Sequence, residues 1–104
     1  MKRLNKENIN RAISQFDILN DFLRPYHSHK TLKAGQLISN PFLLPKKQKT
    51  PSFNIYKNKK GHWRYYDFAT GDYGDGFDLV MKLNKCDFKN ALIIINEQLR
   101  LALN

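Results

Sequence analysis

Residues 52–57 and 62–68 read SFNIYK and HWRYYDF, two alternating stretches separated by the turn-forming NKKG. In the first, Phe53 and Ile55 fall on one side, with Asn54 and Tyr56 on the other. In the second, Trp63, Tyr65 and Asp67 share a face, opposite His62, Arg64, Tyr66 and Phe68. Gly61 supplies the permissive backbone of a tight connection, so the pair predicts a β-hairpin. Arginine rarely faces a core, so the Arg64 face is expected on the solvent side.

Helical periodicity frames this hairpin on both sides. ENINRAISQFDILNDFL (7–23) repeats Ile9, Ile13, Phe16, Leu19 or Asn20, and Leu23 at helical spacing. Pro25 ends this helix, and Asp17 is a candidate cap for a second short helix after a break near Gln15. Residues 26–35, with His27, His29 and Gly35, read as a loop, and GQLIS (35–39) as a short strand that completes a three-stranded meander with the hairpin. ATGDYGDG (69–76) is expected to be a tight loop. FDLVMKLN (77–84) predicts a helix with Phe77, Val80 and Met81 inward. Asp87 caps a last helix, FKNALIIINEQLRLAL, with Phe88, Ala91, Leu92, Ile95 and Leu99 at helical spacing. The fold class is α+β: an N-terminal helix, a small antiparallel sheet and two C-terminal helices.

At 104 residues the chain is expected to be one domain, 1–104, with residues 1–6 as a flexible N-terminus. No apolar run approaches the ~18 residues that span a bilayer, and MKRLNKENIN leads into no apolar stretch of a secretory signal. The single cysteine, Cys86, excludes an internal disulfide and a multi-cysteine zinc site and reads as a packing residue. A cytoplasmic location is the expectation.

The net charge of +9 is unevenly spread. Between Asp21 and Asp67 the chain has no acid, but holds Arg24, Lys30, Lys33, Lys46, Lys47, Lys49, Lys57, Lys59, Lys60 and Arg64. Asp67, Asp72, Asp75 and Asp78 then follow in a cluster. Such a one-sign field suits a polyanion, nucleic acid first and anionic membrane second. A membrane partner lacks the basic amphipathic helix that would support it.

In order along the chain stand Pro41-Phe42, then Thr50-Pro51-Ser52-Phe53, Phe68, Gly74-Asp75, Asp78-Leu79-Val80-Met81 and Asp87-Phe88-Lys89-Asn90-Ala91. From about Asp17 to Leu99 this series resembles the zinc-binding domain of DnaG-type primases, the CHC2 zinc-finger family. The resemblance implies a zinc-ribbon-like fold and a non-catalytic module that binds single-stranded template. It also places the four family ligand positions on Asn40, Leu43, Asp67 and Thr70, none of them cysteine or histidine. Structural zinc takes thiolate or imidazole ligands, so the metal is not expected to carry over. Two substitutes suggest themselves: an apolar cluster of Leu43 and Leu44 with Tyr66, Phe68 and Tyr73, and a direct tie between Asn40 and Asp67. His27, His29 and His62, with Asp67, Asp72 and Asp75, have no spacing that would enforce another metal site.

The candidate nucleic-acid contacts are Lys46, Lys47, Lys49, Lys57, Lys59 and Lys60 for phosphates, and Trp63, Arg64, Tyr65 and Tyr66 for unpaired bases. No triad of serine, histidine and acid is arranged in the sequence, and ATGDYGDG lacks the lysine of a phosphate-cradling loop. The expected partner is single-stranded DNA or RNA, in a replication protein of a phage or mobile element that works with a primase catalytic domain, helicase or polymerase. The alternative is a protein-interaction domain that kept the fold and docks on a replication partner.

Overall fold

The hairpin forms where alternation predicts it. In the computed structural model, which describes residues 2–43 and 49–104, β1 (Phe53–Lys57) and β2 (Trp63–Asp67) run antiparallel. Phe53 pairs with Asp67, Ile55 with Tyr65 and Lys57 with Trp63. The Asn58 side-chain oxygen accepts from the N–H groups of Lys60 and His62, at 3.0 and 2.8 Å, and Gly61 takes the left-handed φ of 82° that the turn requires.

The third strand is not GQLIS. It is β3 (Tyr73–Gly74), inside the segment expected to be a loop, and the sheet order is β1-β2-β3. A two-residue strand in a glycine-rich stretch offers no alternation to read. Gly74 is required there because a Cβ would lie 2.6 Å from Asp78 Cβ, in the helix that follows. Residues 35–39 contribute a bridge, Ile38 with Phe53, and a 2.9 Å hydrogen bond from the Gly35 N–H to the Ile55 carbonyl, before the chain turns away at the helical turn Pro41–Leu43.

The N-terminal helical stretch is broken as expected, into α1 (Lys6–Ala12) and α2 (Gln15–Leu23). Its cap is Ser14, not Asp17: the serine accepts from the Asp17 N–H at 3.1 Å, and Asp17 lies in the first turn, where negative charge favours the helix dipole. A short 3₁₀ turn, Arg24–Tyr26, carries Pro25 out of the helix. Asp75 caps α3 (Gly76–Asn84) in a reciprocal box with Asp78, and Asp87 caps α4 (Phe88–Gln98) as the sequence indicates. α4 stops short of the predicted extent. Arg100 and Ala102 adopt left-handed backbone, and the Asn96 side chain brackets Leu103 with two 2.9 Å hydrogen bonds.

One face of the sheet and the helices share a core. Phe53, Ile55 and Tyr65 from the sheet meet Ile18, Leu19 and Leu23 of α2, Phe77, Leu79 and Val80 of α3, and Ala91 and Ile95 of α4. Each fully buried large side chain contributes roughly 1.5–3 kcal/mol. Phe77 and Val80 point inward as predicted, whereas Met81 is only partly buried and Leu79 fills the interior. α2 approaches α3 closely at Gly76, where a Cβ would sit 2.6 Å from Ile18 Cγ2. The Gly76 N–H donates to Gln15 Oε1 at 2.7 Å, which pins the start of α3 to the start of α2.

Candidate nucleic-acid interface

The register decides which side chains share the face away from the helices. Asn54 pairs with Tyr66, Tyr56 with Arg64, and Tyr66 with Tyr73, so these five side chains stand on the open side of the sheet. Phe68 extends the row and meets the Tyr66 ring edge-on at 5.0 Å. Phe68 and Tyr73 are each 68% exposed, an unusual state for aromatic rings with no burial role. Between Tyr56, Tyr66 and Phe68 lies a groove of ≈370 Å³, with the buried Asn54 also lining it and donating from Nδ2 to the Tyr66 carbonyl at 3.1 Å.

The cations gather at the hairpin end of this face. Lys57, Lys59 and Lys60 are exposed, and Lys59, Lys60, His62 and Arg64 border a shallow depression of ≈450 Å³. The Asn58 hydrogen bonds that shape the turn hold Lys59 and Lys60 at its tip. Lys49 is also exposed, whereas Lys46 and Lys47 lie outside the described residues.

One aromatic assignment changes. Tyr65 is fully buried, with its ring stacked on Phe53 at 5.2 Å, so it has no face to offer a base. The pleat alone explains this: Tyr65 points the same way as Ile55, into the core. Trp63, on that same side, is partly buried and packs edge-on against Phe16 at 4.8 Å. Tyr66 and Arg64 hold their places on the open face. Phe68 and Tyr73, expected to plug the old metal site, are in solvent instead. Phe68 was legible from its alternation with Arg64 and Tyr66; Tyr73 reaches this face only through the pairing of β3.

Beside the end of β2, four polar residues from three segments converge. Asp67 is buried, and its Oδ1 accepts from the Ser52 hydroxyl. Its Oδ2 accepts from Thr70 Oγ1 at 2.7 Å and from the Thr70 N–H at 3.1 Å. Asn40 also bonds to the Asp67 carboxylate, while its own Oδ1 accepts from the Phe42 N–H at 2.8 Å. Burial pulls the Asp67 carboxyl upward, but the hydrogen bonds from Ser52, Thr70 and Asn40 outweigh it and hold the group below its ordinary value. The turn after Asn40 buries Pro41 and lays Phe42 against Phe53 and Tyr65, 5.8 Å from each.

The model of the CHC2 zinc finger family matches residues 5–104, nearly the whole chain. The chain belongs to this family. It is the family of the DnaG-type primase zinc-binding domain, and with it come the primase-like character and the nucleic-acid association of such modules. Searches of curated proteins and of solved structures returned no match.

In this CHC2 domain the expected tie between Asn40 and Asp67 is present. The expected leucine plug is not: Leu43 is 47% exposed, and Leu44 lies outside the described residues. Phe42 takes the inward place because the Asn40-capped turn points position 42, not 43, at the sheet. His27 and His29 stack on each other at 5.6 Å on their loop, where the His29 N–H donates to His27 Nδ1. Among the described residues no three His, Cys, Asp or Glu side chains gather as metal ligands, and no helix is long and apolar enough to cross a membrane.

Proposed function

We propose that this CHC2 domain binds single-stranded DNA across the open face of its sheet, as a non-catalytic module of a phage or mobile-element replication protein in the cytoplasm. One observation carries the reading: four aromatic side chains, Tyr56, Tyr66, Phe68 and Tyr73, share a face bordered at its hairpin end by Lys59, Lys60 and Arg64. Stacking on such rings is worth ~1–3 kcal/mol per base, and the cations meet the phosphates. Exposed aromatics have little reason to stay wet unless something flat and apolar covers them.

The same reading does without zinc. At the four family ligand positions the donor chemistry does not fit the ion. Leu43 offers no ligand atom, Asn40 and Thr70 are neutral, and both Asp67 oxygens accept hydrogen bonds from neighbours. The Asp67 cluster ties the two former ligand loops together, as a metal would. Elemental analysis of protein purified without added zinc checks this part: one tightly held zinc per chain would overturn it.

The binding test is anisotropy of a labelled single-stranded oligonucleotide across a salt series. Affinity that falls steeply with salt supports the reading. No binding at low salt overturns it and favours the open face as a docking surface for a helicase, polymerase or primase catalytic domain.

A further inference from the structure

β3 ends at Gly74, so its pairing with β2 covers only Tyr65 and Tyr66. Among the described residues no strand lies beside Trp63 and Arg64 on that edge, and the Arg64 guanidinium folds back to donate from Nη1 to the Trp63 carbonyl at 2.8 Å. The gap left between the end of the hairpin, the start of α3 and the α1–α2 junction is a cleft of ≈400 Å³, within the ~300–1,000 Å³ of small-ligand sites. Its lining joins Trp63 with Lys6, Arg64, Asn10, Gln15 and Asp75.

The polar groups there are unequal. The Gln15 amide is committed at both ends, donating to Asn10 Oδ1 at 2.8 Å and accepting from the Gly76 N–H at 2.7 Å. The Asn10 amide N–H is a further donor of this wall, beside the Ser14 hydroxyl. Asp75 accepts from the Asp78 N–H at Oδ1, 3.0 Å, and its carboxyl also meets the Asp78 side chain, which makes it the acidic, accepting edge of the cleft. Cations, an aromatic ring and a donor–acceptor pair are the groups a nucleotide uses: phosphate, base face and base edge. The Asp75 carboxylate repels phosphate, so a nucleotide enters base first, with its phosphate held at Lys6 and Arg64.

We propose that this cleft takes a single unpaired nucleotide of a bound strand, with the base against Trp63, the base edge on Asn10 and Asp75, and the phosphate on Lys6 and Arg64. The proposal rests on the single-strand reading above and adds a second binding region, on the far side of Arg64 from the open-face groove. Arg64 borders both the cleft and the hairpin depression, so one strand passes from one to the other around it.

Trp63 is the single tryptophan and lines this cleft, so its emission reports on binding there. Unlabelled mixed-sequence oligonucleotide is titrated against Trp63 fluorescence, with anisotropy of a labelled copy run in parallel. Binding is expected to quench the emission. Asn10→Leu, at an exposed helical position, is expected to remove most of that quench and weaken affinity roughly three- to tenfold. Lys6→Gln is expected to weaken affinity alongside it, and Phe68→Ala to weaken affinity while leaving the quench at saturation. Anisotropy binding with unchanged emission, or a quench that survives both Asn10→Leu and Lys6→Gln, overturns the cleft and leaves the open-face reading standing. Absence of binding in anisotropy overturns that reading, and the cleft with it.

Discussion

Thr70 Oγ1 donates to Asp67 Oδ2 at 2.7 Å, so the two residues that stand at the second ligand pair of the CHC2 resemblance are bonded directly to each other. Ser52 and Asn40 complete the set from the strand opening and the first ligand loop. A buried carboxylate with several donors closes three distant segments of the chain by hydrogen bonds.

Removing that carboxylate takes away the shared acceptor of the Ser52, Thr70 and Asn40 donors. Asp67→Ala is therefore expected to destabilise the fold by about 2–3 kcal/mol, the range for orphaned buried donors with a charged partner. Urea unfolding followed by circular dichroism measures it. A change within about 0.5 kcal/mol, the range of ordinary surface substitutions, would show that the cluster does not hold the loops.

The same carboxyl sets a pH dependence. Its value in the fold lies below the ordinary 3.8, so its stabilising contribution is complete above that value and is lost as pH falls through the lower folded value. Stability of the native chain is expected to drop in the acid range below about pH 4. Asp67→Asn should lose part of that slope, since it removes the titrating group. Parallel acid-unfolding curves that differ only by a constant offset would contradict this.

Gly76 sits where α2 and α3 touch, with Ile18 Cγ2 2.6 Å from the position of a Cβ. Gly76→Ala forces the helices apart and is expected to cost about 1–3 kcal/mol by overpacking, despite the better helix propensity of alanine. Combining it with Ile18→Ala, which removes Cγ2, should cost less than the sum of the two single changes, and thermal melts of the three variants test the pairing.

Phe68 and Tyr73 are mostly in solvent, so their removal separates binding from folding. Phe68→Ala and Tyr73→Ala are each expected to weaken single-strand affinity by ~1–3 kcal/mol with little change in the urea midpoint. Loss of stability with unchanged binding would mark them as packing residues.

Neutralising Lys59 and Lys60 is expected to lower the salt dependence of binding, by about 1 in the log–log slope for each phosphate that no longer meets a cation. An unchanged slope would move the phosphate path elsewhere on the basic surface.

The hairpin, the helix break near Gln15 and the Asp87 cap were legible in the sequence because each is a local signal. Alternation, a turn glycine and a capping side chain act within a few residues of the structure they cause. The Arg64–Tyr66 face followed from the same alternation. So does the burial of Tyr65, whose shared side with Ile55 outranks its aromatic chemistry. What needed the tertiary structure was non-local. β3 exists because residues 73 and 74 find an edge of β2, and GQLIS touches β1 only at Gly35 and Ile38, too sparsely for a continuous strand. Phe42 faces inward and Leu43 outward because a turn closed by Asn40 selects the phase of the pair. Local free energies write the elements into the chain; which aromatic is core and which is interface is settled only when distant segments compete for the same face.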